Sequence, residues 1–275
     1  MKEIRLLRMQ LTNIINSIDS EDKLEFNAKL LPPSKDQELV IRQIICSGLL
    51  DQVAKYQIES GQAYYSILGS NDKVYIHPSS YLSESNPEYC VYREISYTSR
   101  PFMKGITAIQ SSWLPKLAIP LCHFSKPLEL PAPRYDSSTD SIKCTVRVSF
   151  GPHSWELPNQ EIDLQDNDKF KYFAKALLEG QLFPKMKTIE PYLIAKPNLI
   201  LKSIQSNKVA VLVETLTKHQ IFTKQQLQSK WKEQPRFLIS ALSLWIDKSN
   251  QNILDSICKY FVYNQKTKAF LGPPL

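Results

Sequence analysis

Glycine is scarce: the 275-residue chain holds 7, where average usage would supply roughly 19. That scarcity goes with the absence of phosphate-cradling loops, since neither GxxxxGK followed by Ser or Thr nor GxGxxG occurs. Histidine is also sparse, at His77, His123, His153 and His219, and no HExxH is formed. The five cysteines, Cys46, Cys90, Cys122, Cys144 and Cys258, are odd in number, irregular in spacing and without a CxxC, which argues against a disulfide framework or a zinc knuckle and for reduced thiols. No GxSxG elbow is present. No run of 18 apolar residues exists and the N-terminal segment has no apolar core with a cleavage site, so neither a membrane span nor a signal peptide is expected.

What is present is a globular composition, 43% hydrophobic and 22% charged, broken by 18 prolines into short elements with stiff connections. The net charge of +7 is unevenly placed. Residues 1–59 carry a net −1, 60–115 zero, 116–165 a net −1, and 166–275 a net +9 from 17 basic and 8 acidic residues. A basic block of that size fits an anionic partner, nucleic acid or acidic protein; its bland reading is a lysine-rich solvated surface.

These charge segments coincide with changes of pattern. Leu7, Leu11, Ile14, Ile15 and Ile18 fall on one helical face, and after Pro32-Pro33-Ser34 a second amphipathic helix is expected from about Asp36 to Tyr56. Four short strands follow in 60–115: residues 63–68, 74–77, 89–98 and 105–109, separated by polar turns, as in a small antiparallel barrel. Residues 116–165 read as a Pro-rich connection with strands, in which Lys143 to Phe150 alternates cleanly. Asp168 then caps a helix with Phe170, Phe173, Ala174, Leu177 and Leu178 inward and Gly180 at its end. Further helices are expected at 206–219, 224–233, 235–247 and 252–262. The fold class is α+β: helices over 1–59, the barrel over 60–115, the connection over 116–165, and a basic, mainly helical extension over 166–275.

The segment Val74-Tyr75-Ile76-His77-Pro78-Ser79-Ser80-Tyr81-Leu82, the run Pro87 to Lys104 and the close Gly105 to Leu114 resemble the OB-fold region that ends DEAH-box RNA helicases. Ile41 to Ala54 is similar to the end of that family's helical ratchet region. One departure is Met103-Lys104-Gly105, where the family has Met-Arg and a non-Gly residue; the cation is kept but the bidentate fork is lost. Beyond the usual family end, Ser154-Trp155-Glu156-Leu157-Pro158, Lys171 to Ala174 and Leu177 to Gln181 are similar to the C-terminal extension of the nucleolar helicase of the small-subunit processome.

The resemblance implies RNA binding, to pre-ribosomal or small nucleolar RNA, in a nuclear and nucleolar protein of ribosome biogenesis. It implies a processome activator protein and the chain's own helicase core as partners. ATP and Mg belong to the parent helicase; this chain holds no motif for them and is expected to hydrolyse no ATP alone. OB-folds hold single strands with cations for phosphate and π-faces for bases, and the candidates here are Arg93, Tyr97, Thr98, Ser99, Arg100 and Lys104. Each has a plain structural reading too. Arg93 can pair with Glu94, Thr98 and Ser99 can shape the turn before Pro101, and Tyr97 is read as barrel core ahead of base stacking. His77 is read as satisfying a turn, and Trp113, Trp155, Trp231 and Trp245 as core. Two rivals stand: a protein-interaction platform bracing the helicase core, and an enzyme with an unrecognised Cys–His pair.

Overall fold

The structure, a computed structural model, describes residues 2–18, 23–25, 32–202, 207–250, 263–264 and 269–270. Its contacts divide the chain into two compact units, Met1–Gln110 and Ser111–Leu275.

The first unit opens with helices α1 (Lys2–Ile18) and α2 (Lys35–Gly48). Helix α2 starts in a capping box: Ser34 Oγ accepts from the Gln37 amide at 3.2 Å and the Gln37 side chain accepts from the Ser34 amide at 2.9 Å. The helix expected to run to Tyr56 ends at Gly48, and Val53–Glu59 forms strand β1. Local propensity loses here to sheet pairing, because β1 is bonded on both sides, to β2 (Gln62–Ile67) and to β4 (Tyr89–Val91). The β1–β2 turn has two residues, Ser60 and Gly61, with φ of 50° and 78°, the positive values a type I′ hairpin demands.

The remaining strands are β3 (Tyr75–Ile76), β5 (Glu94–Tyr97), β6 (Pro101–Lys104) and β7 (Thr107–Ile109). They complete two sheets, ordered β2-β1-β4-β7 and β3-β6-β5, with a Tyr65–Val74 bridge between them. The strand expected over 89–98 is therefore two. The chain changes sheets between Tyr92, whose amide donates to Gln52 O (3.1 Å), and Arg93, whose amide donates to Lys104 O (2.9 Å). Pairing is antiparallel except for β3 with β6, which is parallel. Both sheets face one core of Ala54, Tyr65, Ile67, Val74, Cys90, Tyr92 and Met103.

In the second unit, α3 (Leu114–Leu117) precedes a sheet of β8 (Cys122–Phe124), β9 (Arg134–Asp136), β10 (Ser141–Phe150) and β11 (Trp155–Asp163). Strand β10 is central, and the alternation read from sequence holds: Cys144, Val146, Val148 and Phe150 are buried. Strand β11, unforeseen because Pro158 interrupts it, is an edge strand. A register shift opposite Val146 and Val148 absorbs Pro158 and Asn159 as a bulge, the place where an edge tolerates a residue without an amide proton.

Helix α4 (Asp168–Leu178) lays Phe170, Phe173, Ala174, Leu177 and Leu178 inward, all buried, and packs on β9 and β10. The N-cap is Asn167, whose side chain makes no capping bond; Asp166 Oδ1 accepts from the Asp168 amide at 2.9 Å, and Asp168, expected as the cap, is the first helical residue. Residues 165 and 166 lie within one unit, in which α4 packs on the sheet and α5 on α4.

The later helices are α5 (Asn207–Lys218), α6 (Lys224–Glu233) and α7 (Ile239–Ser243), the last much shorter than the 235–247 expected. The helix expected at 252–262 lies outside the described residues, and a small hairpin of β12 (Tyr263–Asn264) and β13 (Ala269–Phe270) follows. Trp113, Trp155, Trp231 and Trp245 are all buried, as expected.

Asp140 ties the sheet to α6. Its carboxylate accepts from the amides of Lys224 (2.6 Å) and Gln225 (2.9 Å) and from the Tyr135 hydroxyl (2.8 Å). Asp140→Ala should cost about 1–2 kcal/mol, the loss of a helix cap, plus the orphaned Tyr135 hydroxyl. Asp140→Asn should cost less, because Asn keeps an acceptor and tolerates the residue's φ of 48°. Paired urea titrations of the two variants check this.

Candidate nucleic-acid interface

The β5–β6 hairpin positions the candidate residues. Its register pairs Glu94 with Lys104, Ile95 with Met103, Ser96 with Phe102 and Tyr97 with Pro101. Residues paired across a strand share a face, so Ile95 and Met103 turn to the core while Glu94, Ser96, Phe102 and Lys104 turn outward. Met103 is buried and Lys104 exposed, as that alternation requires. Gly105 follows with φ of 63°, and a Cβ there would stand 3.0 Å from Arg93 Cβ, so glycine is needed for both conformation and space.

Each candidate has a definite place. Arg93 bonds Glu94 at 3.1 Å, the surface pair foreseen for it. Thr98 shapes the 98–100 turn, its amide donating to Arg100 O at 3.3 Å. Ser99 is exposed in the same turn. The guanidinium of Arg100 lies 5.1 Å from the Tyr75 ring centroid, a cation–π contact that leaves its N–H groups at the surface. Tyr97 corrects the expectation of barrel core: it is 72% exposed, because it ends β5 past the last core position, Ile95.

Thr98 and Lys104 come together in one groove of about 430 Å³, shared with His77, Ser79, Ser96 and Phe102. Arg100 sits apart from its lining, on Tyr75, while Arg93, Tyr97 and Ser99 are not part of it. His77 meets its turn as expected: Nδ1 accepts from the Ser79 amide at 3.1 Å and lies 2.6 Å from Ser79 Oγ. Phe102 and Tyr75 join the site through the fold, without standing among the candidates of the sequence. Their signal is the alternation Val74-Tyr75-Ile76 against Pro101-Phe102-Met103, which aligns only through the parallel β3–β6 pairing.

The basic extension is partly spent on its own packing. Lys169 lies 4.3 Å from the Phe222 ring centroid and Lys224 5.2 Å from that of Phe183. Lys171, Lys175 and Lys230 pair with Asp168, Glu179 and Glu233. Lys187, Lys196, Lys202 and Lys218 are exposed. The bland reading of a solvated lysine surface therefore holds only in part: half-buried stems cover apolar and aromatic surface.

Burial raises all four described thiols, Cys46 to about 11 and Cys90 to about 12, with Cys122 and Cys144 raised as well. A nucleophilic cysteine needs the opposite shift. Cys90 and Cys46 in the folded chain should resist iodoacetamide at pH 8 and react fully in denaturant, as mass spectrometry of the alkylated protein will show. Cys258 lies outside the described residues.

Among the described residues no site fits ATP or its Mg ion. The sequence has no phosphate-binding loop, and among the described residues no group of three or more His, Cys, Asp or Glu could hold a metal ion. Among the described residues, no helix is long and apolar enough to cross a membrane.

Known protein families match residues in both units of the chain. The oligonucleotide/oligosaccharide-binding fold family matches residues 41–121, and the DEAH helicase DHX37 C-terminal domain family matches residues 185–259. The chain is 34% identical over 260 residues to the human protein named "Probable ATP-dependent RNA helicase DHX37", covering 90% of this chain and 22% of the relative. It is 35% identical over 220 residues to the Arabidopsis thaliana "ATP-dependent RNA helicase DEAH13" (79% and 18%), and 32% identical over 257 residues to the Drosophila melanogaster "Probable ATP-dependent RNA helicase kurz" (87% and 22%). The chain belongs to the DEAH-box RNA helicase family as a C-terminal region, and it spans about a fifth of the length of these curated relatives.

Proposed function

We propose that this chain is the RNA-binding and partner-docking region of an ATP-dependent DEAH-box helicase that acts in the nucleolus, in small-subunit ribosomal RNA processing and release of a small nucleolar RNA. ATP and Mg serve the core of the parent protein. The observation that carries the RNA reading is the placement of Arg100 and Lys104 at the surface of one hairpin in an OB-fold, beside a groove with an aromatic floor. The pre-ribosomal or small nucleolar RNA, the processome activator protein and the helicase core are the partners this reading assigns.

A salt series with single-stranded RNA tests it. Arg100→Glu with Lys104→Glu should weaken binding and lower the salt slope by about 1.4, two phosphate contacts at about 0.7 each. An unchanged slope in a folded double variant sinks the assignment of this hairpin.

A second reading, docking of protein, is favoured by the first two helices. Ile14, Ile18 and Ile44 are 54%, 81% and 63% exposed on faces whose spacing is that of a buried stripe. These faces fit the chain's own helicase core, and the two readings are compatible in one molecule.

A further inference from the structure

Resting on the RNA-binding reading above, we infer that the outward face of the β3-β6-β5 sheet holds a nucleotide pocket, in which one unpaired nucleotide seats its base against Phe102 and its phosphate on Lys104. Parallel pairing of Tyr75 with Phe102 and antiparallel pairing of Ser96 with Phe102 set these three side chains in a row across the sheet. Their chain neighbours Ile76, Met103 and Ile95 fill the core, so the row faces away from it. Two aromatic rings side by side on the outer face of a small sheet therefore contribute little to the core and offer π-surface to a ligand.

The groove over Phe102, at about 430 Å³, falls within the range of small-molecule sites. Met103 and Ile106 of the core edge also line it, and its polar groups are ones a nucleotide can use. Lys104 is the one cation lining it, and Ser79, Ser96 and Thr98 supply hydroxyls for a ribose 2′-OH or a base edge. His77 stands edge-on to Phe102, with ring centroids 5.0 Å apart. Because its Nδ1 accepts from the Ser79 amide, the neutral ring carries its proton on Nε2, which is left as a donor. At the far edge Arg100 covers Tyr75, placing a second positive charge where the strand would continue. A single base needs only a π-face, so the pocket is tolerant of sequence.

The test compares binding of the intact chain, by fluorescence anisotropy, to a short single-stranded RNA and to the same strand with abasic riboses. The wild-type chain should bind the abasic strand on the order of tenfold more weakly, as the loss of one stacked base predicts. Phe102→Leu should weaken binding of normal RNA by a similar factor and erase the preference. Lys104→Gln should lower the salt slope by about 0.7 while keeping the preference. If the wild-type chain binds RNA but treats both strands alike, or if folded Phe102→Leu keeps the preference, the pocket is overturned and the RNA reading stands. Should Phe102→Leu fail to fold, the two strands on the wild-type chain decide alone. If neither strand binds, the RNA reading falls and the pocket with it. Displacement of RNA by an acidic peptide in a Phe102-dependent manner would assign the groove to protein instead.

Discussion

Replacing Gly180 with Ala should destabilise the second unit by about 3 kcal/mol, combining the left-handed backbone penalty with overpacking. Gly180 closes α4 with φ of 70°, and its amide bonds Leu177 O at 3.1 Å. A Cβ at that position would stand 2.6 Å from the Lys187 backbone nitrogen and 3.0 Å from Lys187 Cα. These are backbone atoms inside the Pro184–Tyr192 3-10 helix, which itself buries Met186 and Ile189, so relief requires moving a packed element. Calorimetry should show a lower melting temperature for the second unit with the first unit unaffected. An Ala variant as stable as the wild type would mean that the 184–192 segment yields at little cost.

A chain cut after Gln165 should lose the fold of its remaining second-unit sheet, while a chain cut after Gln110 keeps a folded first unit. The reason is where the apolar surface goes. One face of β10 buries Ile142, Cys144, Val146, Val148 and Phe150, and α4 packs on that strand and on β9, with Tyr135 edge-on to Phe173 at 6.5 Å. Removing α4 exposes that face and leaves Asp140 without the α6 amides it holds. The first unit has its own core, built from Ala54 to Met103, and loses none of it. Limited proteolysis with near-ultraviolet circular dichroism distinguishes the outcomes: the longer truncation should be cleaved within 111–165 and resist within 35–110. Resistance throughout would show that the sheet is stable without its helices. This result bears on function, since the basic extension cannot then be treated as a detachable arm.

The elements legible in advance were those whose signals are local. Strand β10 alternates, α4 has a single apolar stripe with glycine at its end, and the OB-fold is carried by an ordered run of residues. What escaped depends on partners distant in the chain. Val53–Glu59 reads as the tail of a helix until two strands pair with it, and Trp155–Asp163 contains a proline that only an edge bulge accommodates. The candidate site divides the same way. Arg100 and Lys104 were read from a hairpin and its loop, whereas Tyr75 and Phe102 become neighbours only through a parallel pairing across 26 intervening residues. Tyr97 has the aromatic character that suits a core, and its exposure follows from its place at the end of β5, two residues beyond Ile95, the last of the strand packed on the core.

The Asp140 clamp has a kinetic meaning. Its bond to Lys224 spans 84 residues, and closing a loop of that length costs about 4 kcal/mol in chain entropy, more than one or two hydrogen bonds return. The clamp therefore cannot start the folding of the second unit. It locks after the sheet and α4 have brought its ends together, which makes it a late contact with little weight in the transition state. Weakening it should leave the folding rate nearly unchanged and speed unfolding, so that Asp140 governs how long the folded unit lasts rather than how fast it forms.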